Sequence, residues 1–281
     1  MKSQTFHIEI ITPSFCGGAE PSKAELRPSA IRGQLRWWYR CLGGAQDQEK
    51  LVFGGISDGE NMSSIFSVKI KKHPSDGEVD WCNERNIPPQ GMNPKTYLLG
   101  FFCGRTGRLI RGGAIPPSSR ATVELIFRKP KDQILEKAIK AFFSVGAVGF
   151  RSTRCAGAIC SREYALNSQG WDDLCQILIP SGFMISLDQK RFNNWVAIIS
   201  HAGEVLKDKL RSRGGLGISA GKANALGSAE PRQTSVLHLR PVKIDGELRL
   251  AYIEAPHNRI LGDQAKIAHG NRGSIVQIAG L

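Results

Sequence analysis

Apolar and polar residues alternate from Thr5 to Ile11, with Phe6, Ile8 and Ile10 on one face, and the run stops at Thr12-Pro13. A period of two predicts a strand. After a glycine-bearing loop from Cys16 to Pro28 the period changes. Ile31, Leu35, Trp38 and Leu42 recur at helical spacing, with Ser29 the expected N-cap and Gly43-Gly44 the stop. Leu51 to Gly55 reads as a turn and Ile65 to Ile70 as a second strand. From about Lys71 to Pro94 the chain is polar and aperiodic, as expected of an inserted loop or hairpin. Tyr97 to Cys103 and Ala121 to Phe127 read as strands. Pro130 suits the first turn of a helix whose apolar face is Ile134, Leu135, Ala138, Ile139, Phe142 and Phe143. That helix runs into a glycine-rich loop, Gly146 to Gly157, and Ala158 to Tyr164 follows as a strand.

Without its insertion, this order is strand, helix, strands, helix, strand, which is the ferredoxin-like or RNA-recognition-motif plan. A second unit begins after about Ala165. Trp195, Ile198, Ile199, Ala202, Val205 and Leu206 share a helix face there, Arg211 to Lys222 forms a basic glycine loop, and Ser235 to Val242 and Glu247 to Glu254 read as strands. The succession of helix, basic glycine loop and strand thus occurs twice. The expectation is an α+β protein of two ferredoxin-like domains. Residues 1–165 form the first, with its insertion around 71–94, and residues 166–281 form a second, smaller one.

At 281 residues the chain has ample core without staples. Its 38 Lys and Arg against 25 Asp and Glu give a formal charge of +13, which favours a polyanionic partner, nucleic acid first and an anionic membrane second. The 7 cysteines are scattered without Cys-x-x-Cys spacing, which suits a reducing cytoplasm. No histidine stands at ligand spacing to a cysteine pair, so no metal or cofactor is expected. The N-terminus leads straight into a strand, so no signal peptide is expected, and no apolar run is long enough to span a bilayer. These features together predict a cytoplasmic protein.

Charge gains meaning from its placement beside glycine. On the first helix Arg32, Arg36 and Arg40 stand at i, i+4 and i+8, separate from the apolar face and without acids at i±4. A solvated charged face is the ordinary reading of one such stripe. Gly33 in the first turn weakens the helix but admits another backbone, and helix N-termini attract phosphate, so phosphates are the expected counterions. Trp37 and Tyr39 could stack on bases, although core packing is as good a reading for Trp37 and a better one for Trp38. In the second segment Gly146 suits a helix cap. A cap does not require Gly149, Arg151, Ser152, Arg154 and Gly157, whose exposed N–H groups and side-chain donors suit a phosphate run. The two segments can border one RNA path across a single sheet.

Nucleotide and catalytic motifs fail on inspection. Gly217 and Gly221 enclose three residues where a phosphate-binding loop needs four, and Ala223 follows Lys222. Gly215-x-Gly217-x-x-Ala220 follows a helix, and Arg240 stands where a dinucleotide site wants an acid. No carboxylate cluster resembles a two-metal nuclease. A lone histidine with a basic neighbour, such as His257 with Arg259, could serve metal-free ribonuclease chemistry, and a surface or structural histidine is the better reading.

These segments resemble the RAMP superfamily of CRISPR effector subunits, and within it the first-numbered Cmr subunit family of type III-B complexes. The resemblance rests on Thr12-Pro13, Phe15 to Ala19, Ala24 to Pro28, Ile31-Arg32-Gly33, Leu35 to Trp38, Phe53-Gly54-Gly55 and the glycine-rich loop Gly146 to Gly157. It covers most of residues 5–165, is looser around Arg232 to Pro241, and departs from the family at Cys155-Ala156-Gly157. It implies a non-catalytic subunit lying toward the crRNA 3′ end, with crRNA, complementary target RNA and other Cmr or RAMP subunits as partners and no membrane. Target slicing falls to another subunit. The expected contacts are Arg32, Gly33, Arg36, Arg151 and Arg154, with Lys23, Arg27 and Arg40 behind them. The alternatives are a metal-independent endoribonuclease that processes repeat RNA and a scaffold that touches protein alone.

Overall fold

A computed structural model describes residues 2–17, 23–57, 59–74, 98, 114–212, 214–218, 225–227, 234–260 and 273–281. The chain is α+β, with antiparallel sheets. Its first sheet contains β1 (Lys2–Ile10), β4 (Phe66–Lys72), β5 (Arg120–Phe127) and β6 (Ile159–Ser161) in the order β4-β5-β1-β6. Helices α1 (Pro28–Cys41) and α3 (Gln133–Val145) connect them. Strand, helix, two strands, helix and strand in this order is the ferredoxin-like arrangement. β1 pairs with β5 over eight residues, from Lys2 opposite Phe127 to Glu9 opposite Arg120. β4 and β5 pair although the whole segment from Lys72 to Arg120 separates them in sequence.

Alternation sets the two faces of this sheet. Phe6, Ile8 and Ile10, with Ala121, Val123, Leu125 and Phe127, are buried under the helices, and Phe6 stacks on Phe143 of α3 at 3.8 Å. The opposite face presents Thr5, His7, Thr122 and Lys69. Among the described residues its charges are largely paired, His7 with Glu163 at 2.6 Å, Lys71 with Glu124 at 2.8 Å, and Lys243 with Glu9. This face lacks the aromatic side chains that a base-stacking sheet requires.

Helix α1 begins at Pro28 with Arg27 as its N-cap, two residues before the Ser29 cap expected from sequence. Proline's fixed φ is preorganised for the first helical residue. In α3 the cap is Asp132, whose carboxylate accepts from Leu135 N at 2.7 Å, so Pro130 precedes the helix and does not sit in its first turn. Two elements between α1 and β4 went unpredicted, helix α2 (Gln46–Phe53) and a hairpin of β2 (Gly55–Ser57) and β3 (Glu60–Met62). The strand expected at Tyr97 to Cys103 and the insertion beyond Pro74 lie outside the described residues, Leu98 excepted.

Beyond Ala165 come α4 (Ser168–Leu178), a 3₁₀ turn (Ile179–Ser181), β7 (Met184–Phe192), α5 (Trp195–Glu204), β8 (Leu237–Ile244) and β9 (Glu247–Glu254). The strand order β7-β9-β8 matches the first three strands of the ferredoxin-like plan. This sheet is buried on both sides. Ala251 and Ile253 join the first core, whereas Leu250 and Tyr252 join a second core under α5 with Ile198, Ile199 and Ala202. The helix face expected at Trp195 to Leu206 is continuous, but from Val205 to Arg211 it winds as a π-helix. Two short helices, α6 (His257–Ile260) and α7 (Ile275–Ile278), complete the described chain. Among the described residues no helix is long and apolar enough to cross a membrane.

Asp188, at the bulge of β7, ties the second sheet to α5. Its Oδ2 lies 2.7 Å from His201 Nε2 and accepts from the Tyr252 hydroxyl at 2.8 Å, and its backbone carbonyl accepts from Arg249 Nη2 at 2.6 Å. Burial works to raise the Asp188 carboxyl, but the Lys190 amide, His201 and Tyr252 outweigh it and hold it below the usual range. A depressed carboxylate stabilises the fold above its unfolded pKa, and that contribution fades as pH falls through the folded value. Asp188→Asn is therefore expected to cost about 1–3 kcal/mol at pH 7. Urea unfolding followed into acid should show the gap from the parent chain closing at and below the ordinary aspartate range.

Candidate nucleic-acid interface

The two basic segments are far apart in sequence, and a short strap joins them. Residues Ser14–Gly17 lie between them: Gly17 bridges Ala24, and Glu25 N donates to Cys16 O at 2.8 Å on the approach to α1. On the other side Phe15 bridges Phe150, whose N–H donates to Phe15 O at 3.0 Å. Thr12 fixes the base of the strap. Its hydroxyl donates to Cys155 O at 2.5 Å and accepts from Ala158 N at 3.0 Å. Gly157 N donates to Pro13 O at 2.8 Å, and the Ser14 hydroxyl donates to Val148 O at 3.0 Å.

This lattice explains the glycines. Gly149 has φ +92°, and a Cβ there would lie 2.8 Å from the Phe15 backbone. Gly157 has φ +63°, and a Cβ would collide with the Val148 carbonyl. Both are required by close backbone packing inside the protein. Gly157 is buried, so its expected role as an RNA contact gives way to a structural one. Gly33 is the reverse case. It lies on the exposed face of α1, and among the described residues nothing comes within 4 Å of a Cβ built there.

The arginine stripe on α1 is not without counterions. Glu49, buried at 5 % exposure, folds back from α2. Its carboxylate lies 2.9 Å from Arg36 Nε and accepts from Arg40 Nη2 at 2.7 Å. Arg36 Nη2 also donates to Gly54 O at 2.7 Å, and Arg32 donates to Phe53 O. Burial and the neighbouring Arg36 pull the Arg32 pKa below its ordinary value. Arg32, Arg36 and Arg40 thus all hold α2 and its end against α1, with Arg32 and Arg40 still exposed, and Lys23, Arg27 and Gly33 are exposed beside them. Tyr39 is fully buried and donates its hydroxyl to Asp132 at 2.8 Å, which removes it as a stacking surface.

In the glycine loop the side chains part company. Phe150 is 40 % exposed, with the Arg151 guanidinium 5.7 Å from its ring centroid. Arg151 has a left-handed backbone (φ +60°), and burial together with Arg211 lowers its pKa. Ser152 is half-buried, and its carbonyl accepts from Arg240 Nη1 at 2.8 Å. Arg154 is buried and donates to Leu226 O, so it serves the interior and not an outer strand of RNA. Cys155 is also fully buried, which raises its thiol to about 12.

Beneath the loop lies a cationic layer that sequence reasoning missed. Arg240 and His238 of β8 are 2 % and 5 % exposed, and Trp37 stacks on the His238 ring at 4.6 Å. Arg240 Nη2 donates to His238 Nδ1 at 3.1 Å, which assigns the ring hydrogen to Nε2. Burial, then Arg240 and Arg154, push the His238 pKa far below its ordinary range, and burial lowers Arg240 to about 10. Among the described residues no carboxylate pairs with either. Alternation along Leu237–Ile244 places these two side chains on one face and was the available signal.

Among the described residues no group of three or more His, Cys, Asp or Glu is placed to hold a metal ion. His257 neighbours Arg259, whose Nη1 donates to Cys41 O at 2.5 Å and Ser181 O at 2.9 Å, capping the C-terminus of α1.

A family profile described as the RAMP superfamily matches residues 7–160. Two curated proteins of Pyrococcus furiosus are similar. CRISPR system Cmr subunit Cmr1-1 is 29% identical over 176 residues, 56% of this chain and 44% of that protein. Cmr subunit Cmr1-2 is 31% identical over 186 residues, 57% of this chain and 95% of that protein. The match thus spans under half the length of the first relative and nearly all of the second. Among solved structures, apo Cmr1 from Pyrococcus furiosus superposes with a TM-score of 0.62 at 21% identity, covering 91% of this chain and 88% of that one. A chain of the type III-B Cmr-beta complex bound to cognate target RNA and AMPPnP gives 0.52 at 10% identity, covering 94% and 96%. At these identities the likeness to the two structures is one of fold.

Gly33 and Gly157 give opposite expectations. Gly33→Ala should stabilise the chain by roughly 0.5–1 kcal/mol, as alanine does in an open helix position. Gly157→Ala should destabilise it by at least about 2 kcal/mol through left-handed strain and the Val148 collision. Urea denaturation of the two variants measures both signs.

Proposed function

Because the chain belongs to the RAMP superfamily and, within it, to the Cmr1 subunits, we propose that it is a non-catalytic RNA-binding subunit of a type III-B CRISPR effector. In this reading it lies toward the crRNA 3′ end, contributes to holding crRNA and its complementary target, and docks against other Cmr subunits. The observation that carries the reading is the strap. It connects the exposed start of α1, with Lys23, Arg27, Arg32 and Gly33, to the exposed Phe150 and the half-buried Arg151.

Each component has a job that RNA chemistry supplies. Guanidinium groups at a helix start meet phosphate oxygens, and an open glycine lets the sugar-phosphate chain approach the helix backbone. An exposed ring braced by a guanidinium is a stacking surface for an unpaired base. The buried Arg240 holds the Ser152 carbonyl from beneath, with neutral His238 beside it, and the buried Arg154 holds Leu226 O, so these three shape the surface from the interior. Arg36 and Arg40 brace α2 through Glu49, and Arg40 keeps an exposed side chain beside the helix start.

Arg27→Glu with Arg32→Glu is expected to weaken single-stranded RNA binding about tenfold or more and to lower the salt slope by roughly one unit per lost phosphate contact. Filter binding across a salt series measures both, and unchanged affinity at low salt would sink the reading. Phe150→Ala should weaken binding with little change in salt slope. The endoribonuclease alternative makes a separate prediction: repeat RNA incubated with the chain and EDTA would be cut at a defined site, and His257→Ala would abolish the cut. Intact RNA is the outcome expected here.

A further inference from the structure

The end of the first sheet opposite the strap holds a cavity of about 510 Å³, between the start of β1 and the connection from β5 into α3. Phe127 and Pro130 lie in its wall, with the stems of four cationic side chains, Lys2, Arg128, Lys129 and Lys131. Glu136 is the one carboxylate in the lining. It is already engaged, with its Oε1 2.9 Å from Lys131 Nζ. The same Nζ donates to Gln4 Oε1 at 3.1 Å and stands 5.8 Å from the Phe127 ring centroid. Lys131 is thereby held in place. Lys2, Arg128 and Lys129 are exposed and have no acidic partner among the described residues.

We propose that this cavity is a second anionic site, one that takes a nucleoside phosphate, either free or as the phosphorylated end of an RNA strand. Its volume falls in the range of small-molecule sites, which is roughly 300–1,000 Å³. A partly apolar wall suits the flat body of a nucleoside. Three uncompensated cations and a fourth fixed in position suit a terminal phosphate, which carries more charge than a phosphodiester, and Arg128 brings a fork matched to phosphate oxygens. The backbone N–H groups of Arg128 and Lys129 both point at Ile65 O, at 2.7 and 3.4 Å, which anchors the two side chains at the rim. The site is distinct from the strap. Lys2 and Ile10 are opposite ends of β1, roughly 26 Å apart at the rise of a strand.

Titration calorimetry of the full chain with ATP, in magnesium-free buffer at physiological salt, should give saturable binding. Arg128→Glu with Lys129→Glu removes two charged contacts from exposed positions and should weaken that binding about tenfold or more, with the melting temperature retained. Arg27→Glu with Arg32→Glu should leave ATP binding intact, which separates this site from the first interface. In that same background, a short oligoribonucleotide with a 5′-phosphate that outbinds its 5′-hydroxyl form assigns the site to a strand end. Equal binding of the two oligonucleotides, with ATP binding retained, assigns it to a free nucleotide. The proposal is overturned if neither ATP nor the phosphorylated strand saturates, if charge reversal leaves their affinities unchanged, or if polyglutamate displaces ATP as effectively as unlabelled ATP does.

Discussion

The glycine-rich loop is paired with the second sheet, and the rest of the interface depends on that pairing. Cys155 N donates to Leu239 O at 3.0 Å, and Leu239 N donates to Thr153 O at 3.2 Å. Two backbone hydrogen bonds turn the loop into a short parallel neighbour of β8. They bring Arg240 under Ser152 and His238 under Trp37, and they hold the Phe150 end of the loop against the strap. Such bonds are modest individually, but a loop with four left-handed residues at 149, 151, 155 and 157 has few other ways to satisfy its buried amides.

The electrostatics follow from this placement. Burying a guanidinium without a carboxylate is costly, and the lowered pKa of Arg240 records that cost. His238 avoids it by remaining neutral and accepting a hydrogen bond. The layer beneath the loop is consequently positive and screened from water. A charge in that position projects outward through low-dielectric protein more strongly than one on a solvated lysine. The α1 arginines illustrate the opposite arrangement. Glu49 neutralises much of the stripe, and the positive field concentrates at the helix start.

Much of this was legible in the sequence. The strands at Thr5, Ala121 and Glu247 and the helices carrying Trp38 and Phe142 have clean periods, and glycine stops bracket α1 and the loop. The misses have physical causes. β7 contains a bulge between Leu187 and Arg191 that breaks its alternation and fills it with polar residues. Glu49 pairs with α1 from a different helix, so an i±4 search could not find it. Arg151 and Arg154 look equivalent in sequence, yet a turn leaves one half-buried beside the exposed Phe150 and sends the other to the interior. Phe150 and Arg240 acquire meaning only when the strap and β8 converge on the loop. Sequence therefore located the two segments, and tertiary structure decided which side chains in them face outward.

The distance in sequence between β4 and β5 has an evolutionary consequence. The two strands are adjacent in register at the edge of the first sheet, but nothing in their pairing fixes the length of the chain between Lys72 and Arg120. The entropy of closing a loop grows slowly with length, by only about 0.6 kcal/mol for each doubling. The sheet can therefore keep its register while that connection grows, shrinks or is exchanged outright. It is a point in this fold where lineages can diverge in size at small cost, provided that Leu98 and Ala114 of the second core and Ile115 of the first are kept.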